Sequence, residues 1–324
     1  MDASKAFDQV NHWHLFKQLL KRNMPKIIVR LLMVWYTTQI FIIKWDNNLS
    51  ESFCVTNGVR QGGVLSPKLF NVFIEELSSR LRDAKVGCHM NGISMNHLNY
   101  ADDAVMLAPS VSALQTLINI CDNFANEYDM IYNVKKSLCT AFIPQMYGKM
   151  HIPAVMLGAI PLKWVSQHKY LGSVVDTKSH DDADISRQIQ AIYARGNQLI
   201  RNFKECSKNV KIELFKCYLS NLYCSHLWHS YNATTYRKIK VAYNNVFRML
   251  MGIKRGESIS LAFVTTNVHG FNSLIRKSIY GFYIRATKSD NTLVRNIVHS
   301  PYFAYNSGIF KKWKQLLFTK LDSL

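Results

Sequence analysis

"LNYADDAVMLA", residues 98–108, sets two adjacent aspartates, Asp102 and Asp103, between apolar runs. Like charges side by side repel, and a carboxylate near a protein interior is costly unless it is paired or binds a cation. The flanking residues are β-compatible, so the simplest local structure is a tight hairpin with both aspartates at its turn. Tyr100 is expected to pack beneath that hairpin, with contact to a bound strand as the alternative. The turn is then either hydrated surface or a cation site. Mg²⁺ takes hard oxygen ligands and favours one or two carboxylates plus substrate phosphates.

The rest of the chain bounds these readings. Its 324 residues suffice for one large domain or two to three smaller ones. The longest apolar stretches, "IIVRLLMVW" and "IFIIKW", are short and interrupted by charge, so neither a membrane span nor a signal peptide is expected. Seven scattered cysteines read as reduced thiols of an intracellular protein. In "CYLSNLYCSHLWH", Cys217, Cys224, His226 and His229 do not have zinc-knuckle spacing, and the surrounding residues are those of a core helix.

Charge is unevenly placed. The net charge is +19, and residues 1–185 hold 18 Lys and Arg against 16 Asp and Glu, whereas residues 186–324 hold 22 against 5. A one-sided positive field points to a polyanion, with nucleic acid the first candidate.

Local patterns alternate between helix and strand. "SPKLFNVFIEELSSRLRD" (66–83) puts Leu69, Phe73, Leu77 and Leu81 on one stripe, with Ser66 as cap and Pro67 at the first helical position. "SALQTLINICDNFANEY" has Ser112 and Gln115 at capping-box spacing. Residues 11–35 read as helix broken at Pro25, and 39–57 as a β-hairpin. Short strands are expected over 139–175. Beyond Asp184 three basic amphipathic helices follow, at 184–203, 210–228 and 235–252.

Two further stretches join the first. "DASKAFDQV" opens the chain at Asp2, and "GVRQGGVLSPKLFNVFIEEL" runs from Gly58 to Leu77. With "YADD" (100–103), "NVKKS" (133–137) and "KYLGS" (169–173), they resemble motifs A, B, C, D and E, in order, of reverse transcriptases of the non-LTR (LINE-type) retrotransposon lineage. The resemblance covers roughly residues 1–255 on motif order. It implies an RNA-directed DNA polymerase acting on an RNA template, a DNA primer and dNTP, with Mg²⁺, or Mn²⁺ in its place, as cofactor. It also implies a nuclear or cytoplasmic location.

Roles follow by motif position. Asp2, Asp102 and Asp103 would be the catalytic metal ligands, with Asp103 auxiliary. Ala3, Phe7, Arg60, Gln61 and Gly62 would line the nucleotide site. Phe7 is either a barrier to a ribose 2′-hydroxyl or plain core, and Arg60 either a phosphate ligand or a surface cation. Lys136 would act on the leaving pyrophosphate, with Lys135 its competitor for the register. Tyr170, Leu171 and Gly172 would form the primer grip. His12 and His14 read as structural or, at most, phosphate-proximal.

The expected fold is α+β: a polymerase palm of antiparallel sheet and packed helices over 1–184, an all-α basic thumb over 185–255, and a helical C-terminal region over 256–324 whose role the sequence does not indicate. The fingers, which precede motif A in the family, are expected to be missing. A catalytically inactive nucleic-acid-binding remnant is therefore the alternative to an active polymerase, and a basic non-enzymatic protein the third reading.

Overall fold

Helix α1 (His12–Lys21) begins where the Asn11 side chain accepts from the backbone N–H groups of Trp13 and His14. Helix α2 (Lys26–Thr37) starts after Pro25, which has no N–H to contribute to a continuous helix. The expected break is therefore present. The computed structural model describes residues 1–90, 92–144, 151–301, 303 and 307–318. The fold is mixed α+β, mostly helical, with small two-stranded sheets. It divides into two units, residues 1–139 with 144–165, and residues 140–143 with 166–324.

In the first unit the 39–57 hairpin forms as expected. Ile40–Phe41 pairs with Phe53–Cys54, and Lys44–Trp45 with Asn48–Leu49. Helix α3 (Ser66–Asp83) buries Leu69, Phe73, Leu77 and Leu81 as one stripe. Ser66 does not cap it. Leu65 holds that position, and the buried Ser66 hydroxyl bonds Tyr36 instead. Helix α4 (Val111–Glu127) is capped by Ser110, which accepts from Ala113 N at 3.2 Å, not by Ser112. The capping box fails because Gln115 is otherwise engaged. Its amide donates to Met156 O at 2.8 Å and accepts from Met156 N at 2.7 Å. That brace holds the hairpin of Met156–Leu157 and Ile160–Pro161 to α4. Leu15, Leu19, Phe70, Phe73, Leu77 and Phe124 form the centre of this unit's core.

The second unit begins with a hairpin, Gln167–Tyr170 against Ser173–Asp176. Helices α5 (Asp182–Asn202), α6 (Lys208–Leu219), α7 (Ala233–Met251), α8 (Ile259–Thr265), α9 (Phe271–Thr287) and α10 (Thr292–Val298) follow. One helix over 210–228 is not what forms. Helix α6 ends at Leu219, Cys224 takes a left-handed conformation with φ 61°, and Ser225–Leu227 make a single 3-10 turn. The chain turns because it buries Leu222 and Trp228 separately. Trp228 Nε1 also donates to Asp184 at 2.9 Å.

Helices α5 and α7 meet closely at Gly196. A Cβ there would lie 2.4 Å from Val246 Cγ1. Gly→Ala inside a helix ordinarily stabilises by roughly 0.5–1 kcal/mol. At Gly196 the overlap reverses the sign, and Gly196→Ala should lower stability by about 1–3 kcal/mol. Denaturant-unfolding midpoints check this, and an unchanged or higher midpoint would contradict the close α5–α7 contact.

Candidate functional site

Residues 1–4 run as a short extended segment between two others. On one side Asp2 bridges Asp103, and on the other Ala3 bridges Tyr132, both antiparallel. Ser4 N donates to Ile131 O at 2.8 Å, Asn133 N to Asp2 O at 2.8 Å, and Asp2 N to the Ser137 hydroxyl at 3.1 Å. The amino group of Met1 donates to Ala104 O at 2.6 Å, and burial lowers its pKa. Three sequence-distant stretches are thus held mainly by backbone bonds, with the Ser137 hydroxyl as the side-chain contribution.

The "YADD" stretch is a hairpin with Tyr100 paired to Asp103. Its two turn residues are Ala101 and Asp102, so Asp103 opens the returning strand instead of sharing the turn. Ala101 has φ 51°, as the first position of a tight two-residue hairpin turn requires. Tyr100 is not packed beneath the hairpin. It is 66% exposed, because it alternates with His97 and Asn99 on the opposite face of the strand. Ala3, Ala101 and Asp102 share the lining of one void of about 10 Å³ with Phe70 and Tyr132.

Directly opposed residues of an antiparallel pair project to the same face. Asp2 and Asp103 are such a pair. The Asp103 carboxyl is pushed up, first by burial and then by the charges of Asp102 and Asp2. Lys136 Nζ lies 3.8 Å from Asp2 Oδ2, with the lysine side chain 68% exposed. Lys135 has no such approach to Asp2 among the described residues.

The "GVRQGG" loop lies along "DASKAFDQV". Val59 N donates to Phe7 O at 2.7 Å and Gly58 N to Val10 O at 2.8 Å. Gln61 Nε2 donates to Asp8 Oδ1 at 3.1 Å. Arg60 places its guanidinium over the Phe41 ring, 5.5 Å from the centroid. Phe7 is half-buried and stacks on Phe70 with centroids 4.8 Å apart. Gly62 has φ 81° and open space around its Cα.

In the second unit, Tyr170, Leu171 and Gly172 occupy the end of the first hairpin. Leu171 and Gly172 form its two-residue turn, with φ 44° and 83°. The Tyr223 hydroxyl donates to Leu171 O at 2.8 Å, and a Cβ on Gly172 would meet the Tyr223 ring at 3.0 Å.

The reverse transcriptase (RNA-dependent DNA polymerase) family matches residues 1–175, more than half of the chain. The chain belongs to the reverse transcriptase family. Its relatives are proteins of non-LTR retrotransposons. It is 29% identical over 185 residues to the retrovirus-related Pol polyprotein from type-2 retrotransposable element R2DM of Drosophila melanogaster, covering 53% of this chain and 17% of that protein. It is 25% identical over 232 residues to the RNA-directed DNA polymerase from mobile element jockey of the same species, covering 68% and 24%. It is 24% identical over 264 residues to the probable RNA-directed DNA polymerase from transposon X-element, also of that species, covering 78% and 28%. This reverse transcriptase chain therefore spans between 17% and 28% of these relatives' lengths.

The polymerase family implies a divalent metal. Among the described residues no three His, Cys, Asp or Glu are grouped so as to hold one by themselves. The donor chemistry nevertheless fits, because a hard cation can take one or two carboxylates and draw its other ligands from phosphate and water. Asp2 and Asp103, opposed across the bridge, are two carboxylates of that kind, and Asp102 is next in sequence. No helix among the described residues is long and apolar enough to cross a membrane.

The sequence alone points to no role for Ser137, Asp8 or Tyr223. Ser137 ties down the backbone of Asp2, Asp8 orients Gln61, and Tyr223 holds the Leu171–Gly172 turn. Ser137 and Asp8 stand inside quoted motifs, whereas nothing in the local sequence marks Tyr223.

A carboxyl whose folded-state pKa is raised favours the folded chain while protonated, and that contribution is lost as pH rises through the carboxylate range. Asp103→Asn should therefore raise the melting temperature relative to the unsubstituted chain more at pH 7 than at pH 3. Paired thermal melts test this. Equal differences at the two pH values would contradict a carboxyl raised by burial and by the neighbouring charges.

Proposed function

We propose that this chain carries the nucleotidyl-transfer site of an RNA-directed DNA polymerase, copying RNA by adding dNTP units to a primer. The observation that carries the reading is the Asp2–Asp103 backbone bridge with Lys136 Nζ 3.8 Å from Asp2, which unites motifs A, C and D in one place. In the reaction the primer 3′-hydroxyl gives up its proton to solvent water and attacks the α-phosphorus, the bond to pyrophosphate breaks, and one phosphodiester bond forms. Asp2, Asp102 and Asp103 would hold Mg²⁺, or Mn²⁺ in its place, which when bound as a pair supplies charge stabilisation to the attacking and leaving oxygens. The protein's own part is positioning and electrostatics.

Each side chain then has a task. Lys136 gives up its contact with Asp2 and delivers a proton to the leaving pyrophosphate. The Phe7 ring, fixed by stacking on Phe70, blocks the space of a 2′-hydroxyl and favours dNTP over NTP. The backbone at Ala3 and Gly62 runs beside the nucleotide, with Gly62 leaving room for close approach. Gln61 is oriented by Asp8 toward the nucleotide and template. Arg60 is drawn to the Phe41 ring and reaches phosphate from there. Tyr170, Leu171 and Gly172 grip the primer end. The basic helices of the second unit contact phosphates without reading sequence, so binding weakens as salt rises.

Primer extension on an RNA template with Mg²⁺ tests the assignment. Incorporation should vanish in Asp102→Asn and Asp103→Asn, and fall roughly 10²–10⁴-fold in Lys136→Ala. Salt-sensitive binding of a template–primer duplex without incorporation would replace this reading with that of an inactive nucleic-acid-binding remnant.

Substitution of Phe7 by Val should admit ribonucleotides. The ratio of NTP to dNTP incorporation should rise at least roughly tenfold, as expected when a steric clash worth about 1.4 kcal/mol or more is removed. An unchanged ratio would leave Phe7 as core alone.

A further inference from the structure

Outside the residues matched to the family, α6, the loop that follows it and one face of α9 line a cavity of about 540 Å³ that opens to solvent. Leu274, Lys277, Ser278, Gly281 and Arg285 line it from α9 at three- and four-residue spacing, the period of a single helix face. Ser278 and Gly281 are small, which makes that face concave. Opposite stand Lys216, Ser220 and Asn221. The floor is apolar, with Leu222 and Leu274 buried, and the buried Ser225 hydroxyl lies among them.

The charge of this cavity is one-sided. Its lining contains Lys216, Lys277 and Arg285 and no carboxylate. Glu213 pairs with Lys216 at 2.9 Å, and Lys277 Nζ lies 3.3 Å from His269 Nε2. No ion pair is formed by Arg285 among the described residues. Its guanidinium folds back over α9, since a Cβ on Gly281 would lie 3.3 Å from Arg285 Nη1. That brings it one turn closer to Lys277.

A volume of this size falls within the usual range for small-molecule sites. Guanidinium and ammonium groups with hydroxyls around them recognise phosphate, and an apolar floor accepts a sugar and base. We propose that this cavity binds one nucleotide unit, its phosphate between Lys277 and Arg285 and its sugar and base over Leu222 and Leu274. The unit belongs to a nucleic-acid strand or is a free mononucleotide, and both present the same phosphate ester. None of the three aspartates lines this cavity, and the proposal does not rest on the polymerase reading.

Titration of the chain with dAMP, followed by calorimetry, tests it. Saturable binding is expected, weakened at least roughly tenfold in Arg285→Gln and in Gly281→Leu. Gly281→Leu fills the cavity and leaves the net charge unchanged, so a general polyanion affinity would not respond to it. Circular dichroism melts establish that both variants fold, and Arg285→Gln carries the test if Gly281→Leu does not. Displacement of dAMP by a ten-residue oligodeoxyadenylate assigns the site to a strand, and failure to displace assigns it to the free nucleotide. Absence of saturable dAMP binding, or equal binding by the folded variants, overturns the proposal. So does inorganic phosphate binding as tightly as dAMP, because the sugar and base would then contribute nothing. Primer extension is not a readout here, so failure leaves the polymerase assignment standing.

Discussion

The site depends on a few backbone hydrogen bonds around residues 1–4. Two bridges, Asp2 to Asp103 and Ala3 to Tyr132, bring together the start of the chain and two stretches that follow it by about a hundred and about a hundred and thirty residues. Backbone pairing does most of this, with the Ser137 hydroxyl accepting from Asp2 N and Lys136 beside the Asp2 carboxylate, while the gathered aspartates oppose it. The Asp103 carboxyl carries the cost, raised by burial and by two neighbouring negative charges. A fold that concentrates like charge in this way is held by its hydrogen bonds and by the core beneath, where Phe70, Phe73, Leu77 and Phe124 are fully buried. Functional sites commonly violate the rule that each local choice should agree with the whole, and the violation here sits at the three aspartates.

Turn chemistry repeats at the two hairpins. Each closes through two residues with a non-glycine at positive φ in the first position, Ala101 in one and Leu171 in the other. Such positions are sterically costly and persist where the surroundings over-determine them. For Leu171 the surroundings are visible, since the Tyr223 hydroxyl holds its carbonyl and the Tyr223 ring leaves no room for a side chain on Gly172. Asp184 fixes the same hairpin from its other strand. Its buried carboxylate accepts from Val174 N, from Arg187 and from Trp228 Nε1. The hairpin is thus braced on its turn by Tyr223 and on its second strand by Asp184.

The helices were legible where one stripe decided them. Leu69, Phe73, Leu77 and Leu81 recur at the helical period, and α3 buries them as the pattern requires. Helix ends were less legible, because a capping side chain has other partners to choose from. Ser66 bonds Tyr36, Gln115 bonds Met156, and Ser110 takes the cap that Ser112 was expected to supply. The continuous helix over 210–228 failed for a related reason. Burial of Leu222 and Trp228, and the bond from Trp228 to Asp184, outweigh local helical preference.

The amino-acid order alone established the lineage, through five short motifs in sequence, and the basic character of the C-terminal half. Both are properties of residue identity and spacing, which need no folded chain to be read. Tertiary structure decided which groups meet: that Asp2 faces Asp103, that Lys136 and not Lys135 approaches Asp2, and that Tyr100 turns outward. Those outcomes depend on which strand pairs with which, and in what register. Register is set by competition among backbone groups far apart in the chain, so no local window of sequence contains it.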